Sequence, residues 1–175
     1  PRDESTFASV QREAQDIEKY YIEQYGDQIF AICGMSMGGS IAAALWANGK
    51  LHMDKLFLDG APLVRHNKML TVLLTNQYIS LTHKTRQRDV NTLDMCEKTF
   101  IPKQYMQCFL EMMDAMSDET IKNGVTSVGQ FQLPNHLKWD NIDVIYYHGT
   151  TLNEMVAKKS AKFLKKYYPQ AKVVC

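Results

Sequence analysis

The residues with the clearest chemical potential form a short run in which a serine is flanked by glycines. The run reads Gly34-Met35-Ser36-Met37-Gly38-Gly39. It matches the pattern G-x-S-x-G, in which a serine hydroxyl acts as a nucleophile at the turn between a strand and a helix. The surrounding sequence fits that context, because an apolar run at 29–33 precedes the motif and a helix of small residues follows it. The run therefore predicts a nucleophilic serine at Ser36.

The chemistry of such a turn depends on its backbone as well as on the hydroxyl group. A sharp, strained turn would project the hydroxyl of Ser36 clear of the sheet. We expect Gly34 and Gly38 to leave room for neighbouring backbone to pass closely. The start of the following helix offers free N–H groups to a developing oxyanion, and we expect the N–H of Met37 to be the donor.

Two other interpretations of this run are weaker. A glycine-rich phosphate-binding loop would end in G-K-[ST], whereas the next lysine, Lys50, lies too far along the chain. A chance match is the second alternative, because three fixed positions recur by accident. The order of strand, turn, helix and second strand around Ser36 favours the nucleophile, since that context is what the motif requires.

The elements around the motif alternate between helices and strands. Apolar spacing predicts an amphipathic helix over 5–25, ended by Gly26. Later in the chain, Val156, Ser160, Phe163 and Tyr167 are predicted to line one face of a helix. Apolar runs predict strands at 29–33, 55–59, 143–148 and 172–175. This alternation predicts parallel strands joined by right-handed crossovers.

Residues 64–138 interrupt the alternation. They hold apolar residues at helical spacing and no clear strand, which predicts an insertion of about four helices ending at Pro134. One of these helices should start near Ser117-Asp118-Glu119, because acidic residues are favoured in a first turn.

Composition limits the classes of function. The chain is 45% hydrophobic and 22% charged, as in an ordinary globular domain, and its net charge of +1 gives no argument for nucleic acid binding. No apolar run is long enough to predict a membrane span. The cysteines lack the spacing of zinc or redox motifs, so we expect no metal, no cofactor and a reduced, cytoplasmic setting. They are Cys33, Cys96, Cys108 and Cys175.

With these features the chain resembles the α/β-hydrolase superfamily, and most closely its esterase- and lipase-like bacterial serine hydrolases. The resemblance rests on the serine motif, on the strand-helix-strand order of 29–62, and on 153–160, which is similar to the segment after the next strand in those proteins. It implies an α/β fold, a parallel sheet with helices on both faces, incomplete in this chain. Residues 1–63 and 139–175 would form the core, and 64–138 would form a helical lid.

The resemblance also implies an acid after the third predicted strand, because the family order is serine, acid, histidine. Leu152 occupies the position where Asp is commonest, and Glu154 is the nearest acid. Glu154 is therefore one candidate, although a solvated glutamate at a helix start is an equal alternative. Asp59 is the other candidate, since some members place their acid after the second strand, and its structural alternative is a turn residue before Gly60.

The catalytic histidine should follow the final strand, and none of the histidines in the chain occupies that place. His148 resembles a structural His-Gly pair of the family, and the others fall in the predicted lid or in surface connections. Those others are His52, His66, His83 and His136. We therefore expect the chain to be the C-terminal portion of a longer enzyme, lacking its base and one oxyanion loop, and weak or inactive alone.

Together these residues predict a serine hydrolase that acts on a small-molecule acyl substrate, an ester or a related compound, through an acyl-serine intermediate. The Met- and Leu-rich insertion suggests an apolar acyl or alcohol group. An acyltransferase and a non-catalytic binding module on the same fold are the alternatives. The strand at 29–33 would have an open edge, which predicts either self-association or a partner segment that completes the sheet.

Overall fold

One parallel sheet organises the part of the chain that carries the serine motif. The computed structural model describes residues 6–138, 142–150 and 154–175, and within these ranges the strands lie in the spatial order β1-β2-β3-β4. They are β1 (Gln28–Met35), β2 (His52–Asp59), β3 (Asp143–Tyr147) and β4 (Lys172–Val174). Each neighbouring pair is parallel. The predicted parallel α/β sheet is therefore confirmed.

The strands end in register at one edge of the sheet. Met35 pairs with Asp59, Asp59 with Tyr147, and Tyr147 with Val174. Because the strands are parallel, the residues that follow these four lie along the same carboxyl edge. In open α/β sheets, ligands bind outside this edge.

Helices connect the strands and form the inserted segment. They are α1 (Val10–Tyr25), α2 (Met37–Asn48), α3 (Lys68–Arg86), α4 (Val90–Thr99), α5 (Met106–Ala115), α6 (Asp118–Gln130) and α7 (Met155–Tyr167), with a 3-10 turn at Lys103–Tyr105. Helix α1 begins later than predicted, because the Ser9 side chain accepts the N–H of Arg12 and sets the N-cap there. It ends as predicted at Gly26, whose φ of 85° lies in the left-handed region.

The core lies between one face of the sheet and the helices α2 and α7. Leu56, Leu58, Val144 and Tyr146 are almost fully buried on this face. Helix α2 packs closely against the sheet because its central residues, Ala42 to Ala44, are small and buried. In α7 the buried residues are Ala157, Ser160, Ala161 and Leu164. The predicted stripe is therefore confirmed at Ser160 alone, while Val156, Phe163 and Tyr167 are half-buried beside it. Two of the buried residues are alanines, which lets the helix approach the sheet closely.

The chain divides into two compact units. One contains Thr6, Phe7 and Asn67–Thr126, and the other contains 8–66 and 127–175 among the described residues. Helices and the 3-10 turn are the regular structure of the first unit, where Arg88 forms a bidentate pair with Asp114 at 2.6 and 3.0 Å. No helix in the described ranges combines the length and the apolar character needed to cross a bilayer.

Candidate active site

Ser36 occupies the turn between β1 and α2. Strand β1 ends at Met35, helix α2 begins at Met37, and Ser36 alone makes the turn. Its φ of 49° and ψ of −119° fall in a region that non-glycine residues rarely adopt. Such a conformation costs about 1–3 kcal/mol and persists only where the surroundings enforce it. Strain of this kind at a motif serine indicates a functional turn.

Backbone hydrogen bonds hold this strained residue on both sides. The N–H of Ser36 donates to the carbonyl oxygen of Asp59 at 2.8 Å, which ties the turn to the end of β2. The carbonyl oxygen of Ser36 accepts the N–H groups of Gly39 at 3.0 Å and Ser40 at 3.2 Å, which starts helix α2. The hydroxyl group is therefore the part of Ser36 that the backbone leaves available.

The glycines of the motif have unequal roles. A Cβ at Gly34 would lie 2.4 Å from the carbonyl oxygen of Gly38, so only glycine fits there. A Cβ at Gly39 would lie 2.5 Å from the Cβ of Ala61. A Cβ at Gly38 would meet no described atom within 4 Å. The expectation that Gly38 makes room for backbone is thus wrong, and Gly39, which the five-residue pattern does not include, makes the close contact.

The start of α2 offers the hydrogen-bond donor that an oxyanion would need. Met37 is the first helical residue, and N–H groups of a first helical turn have no acceptor within the helix. Ser36 occupies the N-cap position, yet its side chain makes no capping hydrogen bond. Among the described residues, the hydroxyl of Ser36 has no hydrogen-bond partner at all. Within the described residues, the Ser36 hydroxyl and the Met37 N–H are thus both without a hydrogen-bond partner at the same turn.

The two candidate acids differ in burial and in the element that carries them. Asp59 is exposed at the end of β2, and its carbonyl oxygen binds the Ser36 amide directly. Glu154 is half-buried immediately before α7 and makes no capping hydrogen bond. Its side chain lies against Gly149, where a Cβ would meet the Glu154 Cγ at 3.0 Å. Leu152, at the position where the family favours Asp, lies outside the described residues.

The histidines have other contacts. His83 bonds Asp118 at 2.7 Å, His52 lies 3.6 Å from Asp27, and the Nδ1 of His148 lies 2.9 Å from the Gly149 carbonyl oxygen. Within the described ranges, no histidine hydrogen-bonds Ser36. His66 differs from these three, because both of its ring nitrogens are buried and neither has a hydrogen-bond partner among the described residues. Its pKa is lowered, first by burial and then by the charge of Lys159.

The described residues contain no group of three or more histidine, cysteine, aspartate or glutamate side chains arranged to hold a metal ion. The buried cysteine, Cys96, has a raised pKa because burial disfavours its thiolate. The chemistry on offer at the carboxyl edge is therefore that of the Ser36 hydroxyl, the backbone N–H groups of α2 and the nearby carboxylates.

Solved structures with a fold similar to that of this chain include hydrolases and esterases. An alpha/beta hydrolase family protein from Desulfitobacterium hafniense matches with a TM-score of 0.65 at 14% identity, over 97% of this chain and 68% of that one. An esterase from Exiguobacterium antarcticum matches with a TM-score of 0.65 at 20% identity, over 99% and 66%. A carboxylesterase structure from Nitrososphaera gargenis matches with a TM-score of 0.67 at 14% identity, over 98% and 64%.

The chain therefore spans about two thirds of the length of these structures. No protein-family model and no curated protein matches the sequence. At sequence identities of 14–20% the similarity shows the fold alone. The role of each residue in this chain must therefore be argued from its own geometry.

Proposed function

We propose that this chain, which has the α/β-hydrolase fold, supplies the nucleophile of a serine hydrolase that acts on an ester or a related acyl substrate. The Ser36 hydroxyl attacks the acyl carbon, and the oxygen that becomes negative accepts the N–H of Met37. The tetrahedral intermediate then breaks its bond to the alcohol, which leaves with the proton taken from Ser36, and water hydrolyses the acyl-serine to the acid and the free serine. A carboxylate on the carboxyl edge, Glu154 or alternatively Asp59, orients the imidazole that moves the proton.

The backbone of Ser36 is the observation that carries this proposal. Among the described residues, three serines stand immediately before a helix: Ser9, Ser36 and Ser117. The Ser117 hydroxyl caps α6 by accepting the N–H of Thr120 at 3.0 Å. Ser9 has extended backbone, with φ of −164°, and its hydroxyl caps α1 by accepting the N–H of Arg12. Ser36 has φ of 49° and caps nothing. A strained serine that does not bond its own helix is available for attack on a ligand.

We further propose that the inserted segment, 64–138, serves as a lid and that it favours an apolar acyl or alcohol group. Helix α3 carries exposed apolar side chains at helical spacing, Met69, Val72 and Leu73. Methionine adapts to ligands of varied shape, which suits a binding surface for flexible acyl chains. The names esterase and carboxylesterase among structures of similar fold agree with this substrate class.

The experiment is covalent labelling with a fluorophosphonate probe, followed by mass spectrometry of the peptide that contains the motif. The protein should be labelled at Ser36, and Ser36→Ala should lose both labelling and ester hydrolysis. Ser9→Ala is the matched control, since it removes a hydroxyl that stands before a helix and caps it, and it should keep both. Labelling at a different residue would overturn the assignment of the nucleophile.

A second candidate function is a binding module that uses the fold without catalysis. It is favoured by the observation that no histidine among the described residues hydrogen-bonds Ser36. Absence of any labelling in a folded, full-length protein would support this module. An acyltransferase is distinguished from a hydrolase by adding an alcohol or thiol acceptor to the ester assay. Product formed on the acceptor faster than on water would indicate transfer.

A further inference from the structure

The segment that follows β2, Gly60 to Leu63, is a loop that is buried. Ala61 and Leu63 are 0% exposed, and Pro62 is buried between them. A buried loop must pair its backbone polar groups, because unpaired groups away from water are costly. The N–H of Gly60 donates to the Tyr147 carbonyl oxygen at 2.9 Å, which continues the sheet pairing by one residue. The next three residues pair with side chains instead.

Three buried hydroxyl groups, each from a different element, bind three consecutive residues of this loop. The hydroxyl of Tyr146 in β3 donates to the Ala61 carbonyl oxygen at 2.7 Å. The hydroxyl of Ser40 in α2 donates to the Pro62 carbonyl oxygen at 2.8 Å. The hydroxyl of Ser160 in α7 accepts the Leu63 N–H at 2.9 Å. We call Ser40, Tyr146 and Ser160 the hydroxyl clamp.

The clamped loop is also what holds the nucleophile turn. The residue before the loop, Asp59, accepts the Ser36 N–H at 2.8 Å. Within the loop, the Cβ of Ala61 stands where it would be 2.5 Å from a Cβ on Gly39. The last residue of β2 thus meets the turn at Ser36, and the loop that follows meets it at Gly39. A small shift of the loop would therefore disturb the turn at Gly39 directly and at Ser36 through Asp59.

We infer that Ser40, Tyr146 and Ser160 are positioning residues for Ser36, acting through the loop 60–63. This inference rests on the proposed role of Ser36 for its catalytic meaning, while its structural part stands independently. The strained φ of Ser36 needs an external constraint, and its bond to Asp59 supplies one. That bond keeps its geometry only while the buried loop after Asp59 stays in place. The clamp fixes the loop from three sides.

The three clamp members are buried together. All three are 0% exposed, and the Tyr146 hydroxyl also lies 3.2 Å from the carbonyl oxygen of Ala157, in the helix that carries Ser160. The pKa of Tyr146 is raised, mainly because burial disfavours the phenolate, so its hydroxyl stays protonated and able to donate. Buried hydroxyl groups that bind one backbone segment from several elements favour a single arrangement of that segment.

The structural part is tested by amide hydrogen exchange of the protein, measured by NMR. Ser40→Ala, Tyr146→Phe and Ser160→Ala should each raise the exchange rate of the Ser36 amide, by roughly fivefold for one lost hydrogen bond. The matched control is Ser127→Ala, which removes a hydroxyl that binds the Val10 N–H elsewhere in the same unit. It should leave the Ser36 amide unchanged. An unchanged Ser36 amide in the clamp variants would overturn the inference.

If the clamp only stabilised the whole fold, its loss would raise the exchange rates of all amides alike, including those of β4. That result would also overturn the inference. The Ser40→Cys variant keeps a donor on the same Cβ but a weaker one, so its Ser36 amide should exchange at an intermediate rate. The catalytic part is read from fluorophosphonate labelling of full-length protein. Clamp variants should lose roughly tenfold in the maximal labelling rate, with little change in probe affinity.

The two proposals fail in different ways. If wild-type protein is not labelled at Ser36, the serine-hydrolase proposal falls, and the exchange data still decide whether the clamp holds the turn. If wild-type protein is labelled and the clamp variants exchange faster but label at the wild-type rate, the clamp is structural only and its role in positioning Ser36 is refuted.

Discussion

The backbone of Gly34 passes so close to Gly38 that a Cβ at Gly34 would lie 2.4 Å from the Gly38 carbonyl oxygen. The neighbour is backbone rather than the end of a flexible side chain, so it has little freedom to move. Gly34→Ala should therefore destabilise the protein by about 1–3 kcal/mol, as overpacked sites do. It should also slow labelling of Ser36, because the turn must open to admit the methyl group. Urea unfolding and the labelling rate measure the two effects.

Gly38→Ala is the matched control for this substitution. A Cβ at Gly38 meets no described atom within 4 Å, and the position lies in α2. Alanine is favoured over glycine in a helix by about 0.5–1 kcal/mol, so this variant should be as stable as wild type or more stable. Equal destabilisation by both substitutions would show that the close approach at Gly34 does not decide stability.

The identity of the acid is tested by substitution with the corresponding amide. Glu154→Gln in full-length protein should lower kcat by about 10³–10⁴-fold, because an amide does not stabilise the imidazolium that forms during acyl transfer. Asp59→Asn should leave kcat near wild type, since the bond from Ser36 uses the Asp59 backbone and not its side chain. Measured kcat for the two variants decides between them, and the reverse pattern would assign the acid to Asp59.

Elements with strong local signals could be predicted from the sequence, and elements set by tertiary packing could not. The strand before Ser36 was predicted at 29–33 and lies at Gln28–Met35. Strand β2 was predicted at 55–59 but begins at His52. Leu56 and Leu58 are buried two residues apart, as expected in a strand, but Met53 is buried three residues before Leu56. The alternation is therefore broken in the first half of the strand, and the pattern predicted only the second half.

The same limit applies to the candidate site. Ser36 could be proposed from the sequence because the motif and its context lie within a few residues. The close contact of Gly39 was missed, since it depends on Ala61, which the fold brings from the end of another strand. Ser40 and Ser160 looked like small polar residues on helices. Only the structure shows that their hydroxyls meet one buried loop.

Stability should depend on pH through His66. Its pKa is lowered from 6.5 in the folded protein, first by burial and then by Lys159. Below pH 6.5 the unfolded chain therefore binds more protons at this residue than the folded chain does. The free energy of unfolding should fall as the pH drops through this value, and should level off below the folded pKa.

The measurement is urea unfolding of wild-type protein and His66→Gln at pH about 7.5 and about 5.5. The substitution should reduce the loss of stability between the two values. His136→Gln, at an exposed position, is the control and should keep the wild-type loss. An identical loss in His66→Gln and wild type would contradict the prediction.

Strand β1 should promote self-association of a polypeptide made of these 175 residues. Among the described strands it pairs only with β2, and Phe30 and Met35 are 68% and 72% exposed on it. Open apolar strand edges recruit other chains. Phe30→Lys should therefore weaken association in sedimentation measurements over a range of concentrations. Tyr20→Lys, at a position of 61% exposure on α1, should not. A concentration-independent monomer in wild type would contradict the prediction.

The inserted segment leaves the core and returns to it at one place. The N–H of Leu133 donates to the carbonyl oxygen of Leu63 at 2.9 Å, and the N–H of His66 donates to the carbonyl oxygen of Gly129 at 2.8 Å. These bonds close the loop at its base, and the entropy cost of closing a loop grows only with the logarithm of its length. Insertions, deletions or exchange of the residues between Asn67 and Thr126 should therefore cost the sheet little. A lineage could therefore replace this whole segment while the serine turn stays as it is.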